Sequence, residues 1–417
     1  MVQQSSQTNK RPLWQKGLIG LAFLLLFGLL VVAFHELFTQ EFVGANDFYP
    51  RWKGAQLYWL EGLDPYSQAT TEAIQRDMYG RLALPDEDQV LFVYPFYTIF
   101  LLLPLVSLPY SWVQAIWLTL VLASLLGGVI FILTYLGWRP APWLLALTMI
   151  WAVAYYSSTR TIILGQFAGP VFFGLAGCLW ALKTKRDGWA GLLLVLATLK
   201  PQMSYLVIPA LLLWAWGQRR WLFVGSFSGW LLLLLLLSFA LSPRWLISFA
   251  EQILYYPDYT AVGAPVWIIT HYYFPLLGRP VEWIVSLLLL GYMFYWWRQL
   301  PTAAVDSPPF LYALSLTIIV TNMVVTRTGT TNYVMLYIPL FWLLYLLATR
   351  WRWGKVAVVL FYALSLVSIW LLFLTTIEGS YESPLMFLPL PLALLLALVA
   401  ARSRLQQTSW GLKEGRV

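Results

Sequence analysis

Apolar residues run through this chain in long stretches with short polar breaks, not in strand alternation or the narrow stripe of a surface helix. The stretches predict helices near 17–35, 110–136, 141–157, 162–182, 189–199, 203–216, 221–241, 281–297, 310–326, 332–348, 354–374 and 384–401. The fold class is therefore all-α, a polytopic helical membrane bundle of about 12 transmembrane helices. Strict apolar/polar alternation, the mark of a membrane barrel, is missing. A bilayer core needs about 20 apolar residues per helix, so 189–199 and 203–216 are short. They are expected to form a tight hairpin whose turn, Lys200-Pro201-Gln202, lies in the outer half of the membrane; Pro201 has no amide N–H, which suits a break there. Residues 94–108 are apolar but carry Pro95 and Pro104 and lead into Pro109, and are expected to be re-entrant or surface-lying.

Two long segments escape the apolar pattern, 36–93 and 242–280, and are read as outer loops. In the first, residues 50–61 have helix-forming composition with an aromatic face, closed by Gly62. Asp64-Pro65-Tyr66 signals a turn, and Ser67 is an N-cap for a second helix ending near Gly80. Both helices are expected to lie along the membrane surface, with Trp and Tyr at headgroup depth.

Composition supports the membrane reading: of 417 residues, 60% are hydrophobic and only 11% charged. A net charge of +8 raises the question of nucleic acid, but its distribution answers it. With the basic breaks placed inside, the cytoplasmic segments hold 17 of the 26 Lys and Arg and 3 of the 18 Asp and Glu. That is the positive-inside pattern, and no basic soluble domain exists to grip a phosphate backbone. The basic patch Lys10, Arg11, Lys16 before an apolar run resembles a signal peptide, yet the run is long and ends in Phe34-His35-Glu36 without a small-residue cleavage site. The expected organisation is a cytoplasmic tail over 1–16, one transmembrane domain over 17–401 and a cytoplasmic tail over 402–417, in the cell membrane, with the working face extracytoplasmic. Cys178, the single cysteine, lies in an apolar span and is expected to be inert packing.

Candidate chemistry gathers on the outer side. Asp47 follows the first apolar helix, with Phe48, Tyr49, Arg51, Trp52, Lys53, Tyr58 and Trp59 around it. A carboxylate there can take a proton from an attacking hydroxyl; equally, it can cap the helix at 50–61 or pair with Arg51. Lys200, between two short apolar helices, is costly unless something anionic meets it, although snorkelling to headgroups is the plainer alternative. Arg160 and Arg327 sit in short outer turns, 157–161 and 327–331, where a substrate phosphate or a lipid headgroup are comparable partners. Gly165-Gln166 is read as opening the helix at 162–182, with the amide available to orient a hydroxyl or Asp47. His271 can serve as acid or base, but a lone histidine in an aromatic loop is more often structural. Asp86-Glu87-Asp88 is most simply a solvated turn. No cluster has metal-ligand spacing, and no phosphate-binding glycine loop is present.

These residues resemble a known family. Asp47, the Tyr/Trp-rich helix, Gly62-Leu-Asp-Pro65-Tyr66, Tyr94-Pro95, Leu164-Gly165-Gln166 and Leu199-Lys200-Pro201-Gln202 fall in the order seen in membrane glycosyltransferases of the GT-C fold. The chain is most similar to glycosyltransferase family 87, the polyprenyl-phosphate-mannose-dependent α-1,2-mannosyltransferase-like proteins. The resemblance implies Asp47 as catalytic base and a polyprenyl-phosphate sugar donor; the outer cations Lys200, Arg160 and Arg327 are the residues expected to bind its phosphate. It implies a lipid or glycan acceptor and neither cofactor nor obligatory metal. Arg51, Trp52, Tyr58, Tyr94, Gln166, Gln202, His271 and Asn332 are the expected substrate-binding residues. The family often carries a histidine before a late helix, where this chain has Arg327-Thr-Gly-Thr-Thr-Asn332-Tyr333; Arg327 or Asn332 then takes its place, or the substrate differs. The rival functions are a transporter or flippase of lipid-linked sugars, and a surface-polysaccharide ligase or polymerase. Transporters usually carry midplane charges and internal repeats, neither of which is seen here.

Overall fold

The computed structural model describes residues 13–259, 263–377 and 382–403, so most of both expected tails lies outside the described residues. Among the described residues the chain is helical with no strand. After α1 (Leu13–Phe34) come two polar-loop helices, α2 (Tyr49–Glu61) and α3 (Gln68–Tyr79). Their ends follow the turn residues. Gly62 takes φ +73° and Gly80 φ +69°, both left-handed, while the Ser67 hydroxyl oxygen accepts the Thr70 N–H at 3.2 Å.

Residues 94–108 do not form a spanning helix. They hold α4 (Thr98–Leu102) and one tight turn, Leu103–Leu105, about 8 Å of α-helix against a hydrocarbon core of about 30 Å. The segment is fastened to α2: the Trp52 and Trp59 indole N–H groups donate to the Leu105 and Ile99 carbonyls, each at 3.1 Å, and the Gln56 amide donates to Val106 at 3.0 Å. These side-chain donors reach carbonyls of the short, proline-broken segment and hold it against α2.

The bundle follows: α5 (Tyr110–Leu136), α6 (Pro142–Ala154), α7 (Tyr156–Ile163), α8 (Ala168–Lys183), α9 (Asp187–Leu196), α10 (Val207–Gly217), α11 (Trp221–Leu241), α12 (Trp245–Tyr259), the single turn α13 (Pro265–Trp267), α14 (Gly278–Trp297), α15 (Pro308–Val324), α16 (Tyr337–Arg350), α17 (Gly354–Thr376) and α18 (Pro389–Ala400). Among the described residues, five helical stretches are long and apolar enough to cross a membrane: Gly20–Thr39, Tyr110–Leu136, Trp221–Leu241, Thr330–Arg350 and Gly354–Thr376. Six more apolar helices are shorter, including α6, α8, α10 and α15.

Two local expectations are corrected. Residues 157–161 form part of α7 rather than a turn, because the chain breaks earlier, at the extended Tyr155, and again at Gly165. Gly165-Gln166 therefore lies between two helices instead of opening one. Nor do α9 and α10 make a tight hairpin with each other. α9 packs on α8 and α11, while α10 packs on α11 and α15. Close approach sets the first of these contacts: a Cβ on Gly174 of α8 would stand 2.6 Å from the Leu193 carbonyl oxygen of α9.

α8 is the buried centre of the bundle, with Cys178 among its inaccessible side chains. α1, α11, α14 and α17 form its rim and leave Leu24, Leu29, Leu232, Leu236, Leu287, Leu288, Leu364 and Leu371 exposed. An apolar surface of that extent suits lipid and not water.

Candidate active site

A cavity of about 530 Å³ opens where the polar loops meet the bundle. Its walls come from the turn before α2, residues 88–94, the α7–α8 turn, the Lys200 turn with Tyr205, one face of α12, residues 325–332, and Glu382 with Phe387. Segments far apart in sequence thus supply one concave site of ordinary ligand-binding size.

Asp47 is held in place by the backbone before it and an aromatic anchor after it. Ala45 adopts φ +56°, and the Phe48 and Tyr49 N–H groups close back on its carbonyl. The Asp47 N–H donates to Leu164 at 3.2 Å, and Tyr110 Oη donates to the Gly44 carbonyl at 2.8 Å. Phe48, fully buried, stacks on Trp117 with centroids 4.5 Å apart. Trp117 also packs on Phe167 and donates its indole N–H to the Gly165 carbonyl at 2.6 Å. Gly165 itself sits at φ +64°, and a Cβ there would lie 2.7 Å from the Phe48 Cβ and 2.9 Å from the Ala45 Cβ. Only glycine meets both demands, which brings Gln166 against the Asp47 loop.

The Asp47 carboxylate neither caps α2 nor pairs with Arg51. No side chain caps that helix, and Arg51 Nη1 donates to the backbone carbonyl of Asp47 at 2.9 Å. Instead Asp47 Oδ2 accepts a short hydrogen bond from Gln166 Nε2. The other end of the same amide, Gln166 Oε1, accepts from Lys200 Nζ at 2.6 Å. A carboxylate and an ammonium are thereby linked through one neutral amide. The link uses one donor of Lys200, which has three, and one oxygen of Asp47. Lys200 is only 5% exposed, and Pro201 breaks the helix that would otherwise carry it away.

The opposite wall is arranged differently. Arg160 Nε meets Glu382 Oε1 at 2.8 Å, and Thr330 Oγ1 donates to both Glu382 oxygens at 3.0 and 2.8 Å. Arg327 lies over the Trp267 ring, 5.1 Å from its centroid, and Arg51 over Tyr94 at 4.8 Å. Asn332 donates to Thr328 Oγ1 at 3.0 Å, but its own Oδ1 is buried without a partner. Such an acceptor in a cavity wall is a place for a ligand hydroxyl.

Nine of the twelve residues singled out from sequence line this cavity: Asp47, Arg51, Tyr94, Arg160, Gln166, Lys200, Gln202, Arg327 and Asn332. Three do not. The Trp52 ring is buried and spent on Leu105, Tyr58 Oη donates to the Leu241 carbonyl at 3.3 Å, and His271 stacks on Trp267 and faces Glu282 at 3.6 Å. Their hydrogen-bonding ends serve the scaffold.

Sequence reasoning missed two carboxylates, Asp88 and Glu382, and Tyr205. The Asp86-Glu87-Asp88 turn is only partly the solvated feature expected. Glu87 is one, and its hydrogen bonds from Arg81 and then from the Leu84 N–H lower its carboxyl to about 2. Asp88 instead reaches the cavity. It is accessible there, yet surrounding protein raises its pKa, opposed by the Val90 N–H and reinforced by Asp47. The irregular run behind it is strained, with Val90 at φ +47° and Val93 at φ +42°. β-branched residues rarely adopt that conformation, and such outliers cluster at functional sites. The available signal was the odd polarity of Asp88 just before an apolar run. No group of three or more His, Cys, Asp or Glu suited to a metal ion exists among the described residues.

A family model for glycosyltransferase family 87 matches residues 92–328, more than half of the chain. The chain belongs to glycosyltransferase family 87. It is therefore a membrane glycosyltransferase, and the cavity is the candidate site of its glycosyl transfer. The matched range includes Tyr94, Arg160, Gln166, Lys200, Gln202 and Arg327, while Asp47, Asn332 and Glu382 lie outside it; the place of each in the site rests on geometry. No curated protein and no solved structure matches the chain significantly.

Proposed function

We propose that this family 87 protein transfers a hexosyl group, mannose first among candidates, from a polyprenyl phosphate to a hydroxyl of a lipid or glycan acceptor, with inversion. The observation carrying this reading is the Asp47–Gln166–Lys200 chain in the cavity wall. Asp47 takes the acceptor proton while the acceptor oxygen attacks the anomeric carbon. The bond from that carbon to the phosphate oxygen breaks, and polyprenyl phosphate leaves with the electron pair. Lys200, with Arg327 from the same cavity lining, stabilises the negative charge gathering on the leaving phosphate. Arg160 is assigned a lesser share because Glu382 already neutralises it. Asn332 Oδ1 accepts from a sugar hydroxyl and, with Arg327, occupies the place of the family's late histidine. Leu164, Phe249, Ile253 and Phe387 supply apolar wall for the lipid end of the donor.

In this scheme the donor carries the sugar, protein cations meet its phosphate, and no metal is assigned a part. The site faces the extracytoplasmic side, and the prenyl chain enters from the membrane.

The test is direct. Purified protein is mixed with polyprenyl-phosphate-linked mannose, glucose or arabinose and an acceptor extract, and free polyprenyl phosphate is measured. Acceptor-dependent release with one donor is expected, unchanged by a chelator. Movement of intact donor between vesicle leaflets without release would replace this reading by lipid transport.

A further inference from the structure

A second depression lies beside the cavity, a groove of about 340 Å³ between α3 and α12. α3 contributes Gln68 and Thr71, one helical turn apart. α12 contributes Ser248, Glu251, Gln252 and Tyr255, whose spacing of three, four and seven residues places them on one face. Phe249 and Ile253, on the adjoining face of the same helix, line the cavity instead, and Leu91 lines both depressions. α12 and Leu91 are therefore a shared wall. Gln252 ties the two sides together: its Oε1 accepts the Val93 N–H at 2.9 Å, and its Nε2 donates to the Tyr66 carbonyl at 3.4 Å.

The chemistry of the groove differs from that of the cavity. Its lining combines hydroxyl, amide, carboxylate and phenol groups and, among the described residues, contains no Lys, Arg or His. A phosphate would find no cation there, and an alkyl chain would be laid on polar groups. A neutral polyol matches it, with hydroxyls for Thr71, Ser248, Gln68 and Glu251 and a sugar face for Tyr255.

We propose that this groove binds the neutral glycan part of the acceptor, two or more sugars away from the hydroxyl that reacts. The proposal rests on the glycosyl-transfer reading and narrows it: the acceptor is an oligosaccharide chain, not a bare lipid alcohol. The growing end enters the cavity at Asp47, and the chain behind it passes over Leu91 into the groove.

Binding tests this without requiring turnover. Methyl glycosides of linear mannose, glucose and arabinose tetrasaccharides, with their monosaccharide counterparts, are titrated into detergent-solubilised wild type, Thr71→Trp and Glu251→Gln. One tetrasaccharide is expected to bind wild type at least tenfold more tightly than its monosaccharide. Thr71→Trp, which fills the groove, should abolish that advantage, and Glu251→Gln should reduce it severalfold. Absence of a length advantage for all three sugars in wild type overturns the proposal, as does an advantage that survives both substitutions. Failure of the transferase reading would show separately, as no polyprenyl phosphate released by a protein that still discriminates glycan length.

Discussion

The two charged walls of the cavity solve the same problem in opposite ways. On one, Asp47 and Lys200 are held apart by the Gln166 amide, so each charge is oriented while neither is consumed. On the other, Arg160 and Glu382 meet directly and Thr330 saturates the carboxylate further. A buried charge without a full partner is expensive, and a membrane protein keeps one where a substrate completes it. The contrast teaches that cation content alone does not locate a phosphate site; what matters is whether a protein carboxylate already meets the cation's charge.

The sharpest way to break the contrast is to neutralise one carboxylate on each wall. Asp47→Asn is expected to lower kcat by about 10²–10⁴-fold, the usual worth of a general base, while Glu382→Gln changes it by less than about threefold, as a partly exposed ion pair implies. Comparable losses in the same polyprenyl phosphate release assay would erase the distinction. The cations should divide likewise: Lys200→Met is expected to cost about 10²–10³-fold in kcat/KM for the donor, and Arg160→Met less than tenfold. Gln166→Leu removes the spacer without touching either charge, and a loss of about ten- to a hundredfold is expected, the scale of losing hydrogen bonds to charged groups. If its rate equals that of wild type, the amide does not position Asp47.

Two further effects are read in stability. Gly165→Ala should destabilise the protein by about 1–3 kcal/mol, seen as a lower Tm in detergent, because alanine at that φ is strained and its Cβ meets Phe48. The smallest effect concerns Asp88. Its pKa is raised in the fold, so its contribution to stability is present in acid, with the carboxyl protonated, and is lost as pH rises through the folded value. Asp88→Asn should therefore melt above wild type at neutral pH and converge with it in acid. A constant offset at every pH would mean that the surroundings of Asp88 carry no linkage.

Local signals in the sequence were read well because they are local in physics. Gly62, Ser67 and Gly80 end helices through bonds within four residues, so their identity alone announces them. The break at residues 94–108 was legible for the same reason, through its prolines. What sequence could not show was where polar ends would be spent. Trp52 and Tyr58 have the composition of a sugar platform, yet carbonyls distant in sequence, at Leu105 and Leu241, claim them. Glu382 lies 222 residues from Arg160 in numbering, and nothing periodic links the two. Gly165 looked like the start of a helix because the residues on both sides are apolar; its positive φ follows from the packing of Phe48 and Ala45, which lie about 120 residues earlier.

One measurement addresses the central claim without relying on rates. In a cryo-EM structure of Asp47→Asn bound to polyprenyl-phosphate-mannose, the donor phosphate should lie within about 3 Å of Lys200 Nζ, with the anomeric carbon turned towards side chain 47. A phosphate seated instead on the Arg160 and Glu382 wall, or a donor wholly outside the cavity, would contradict the account.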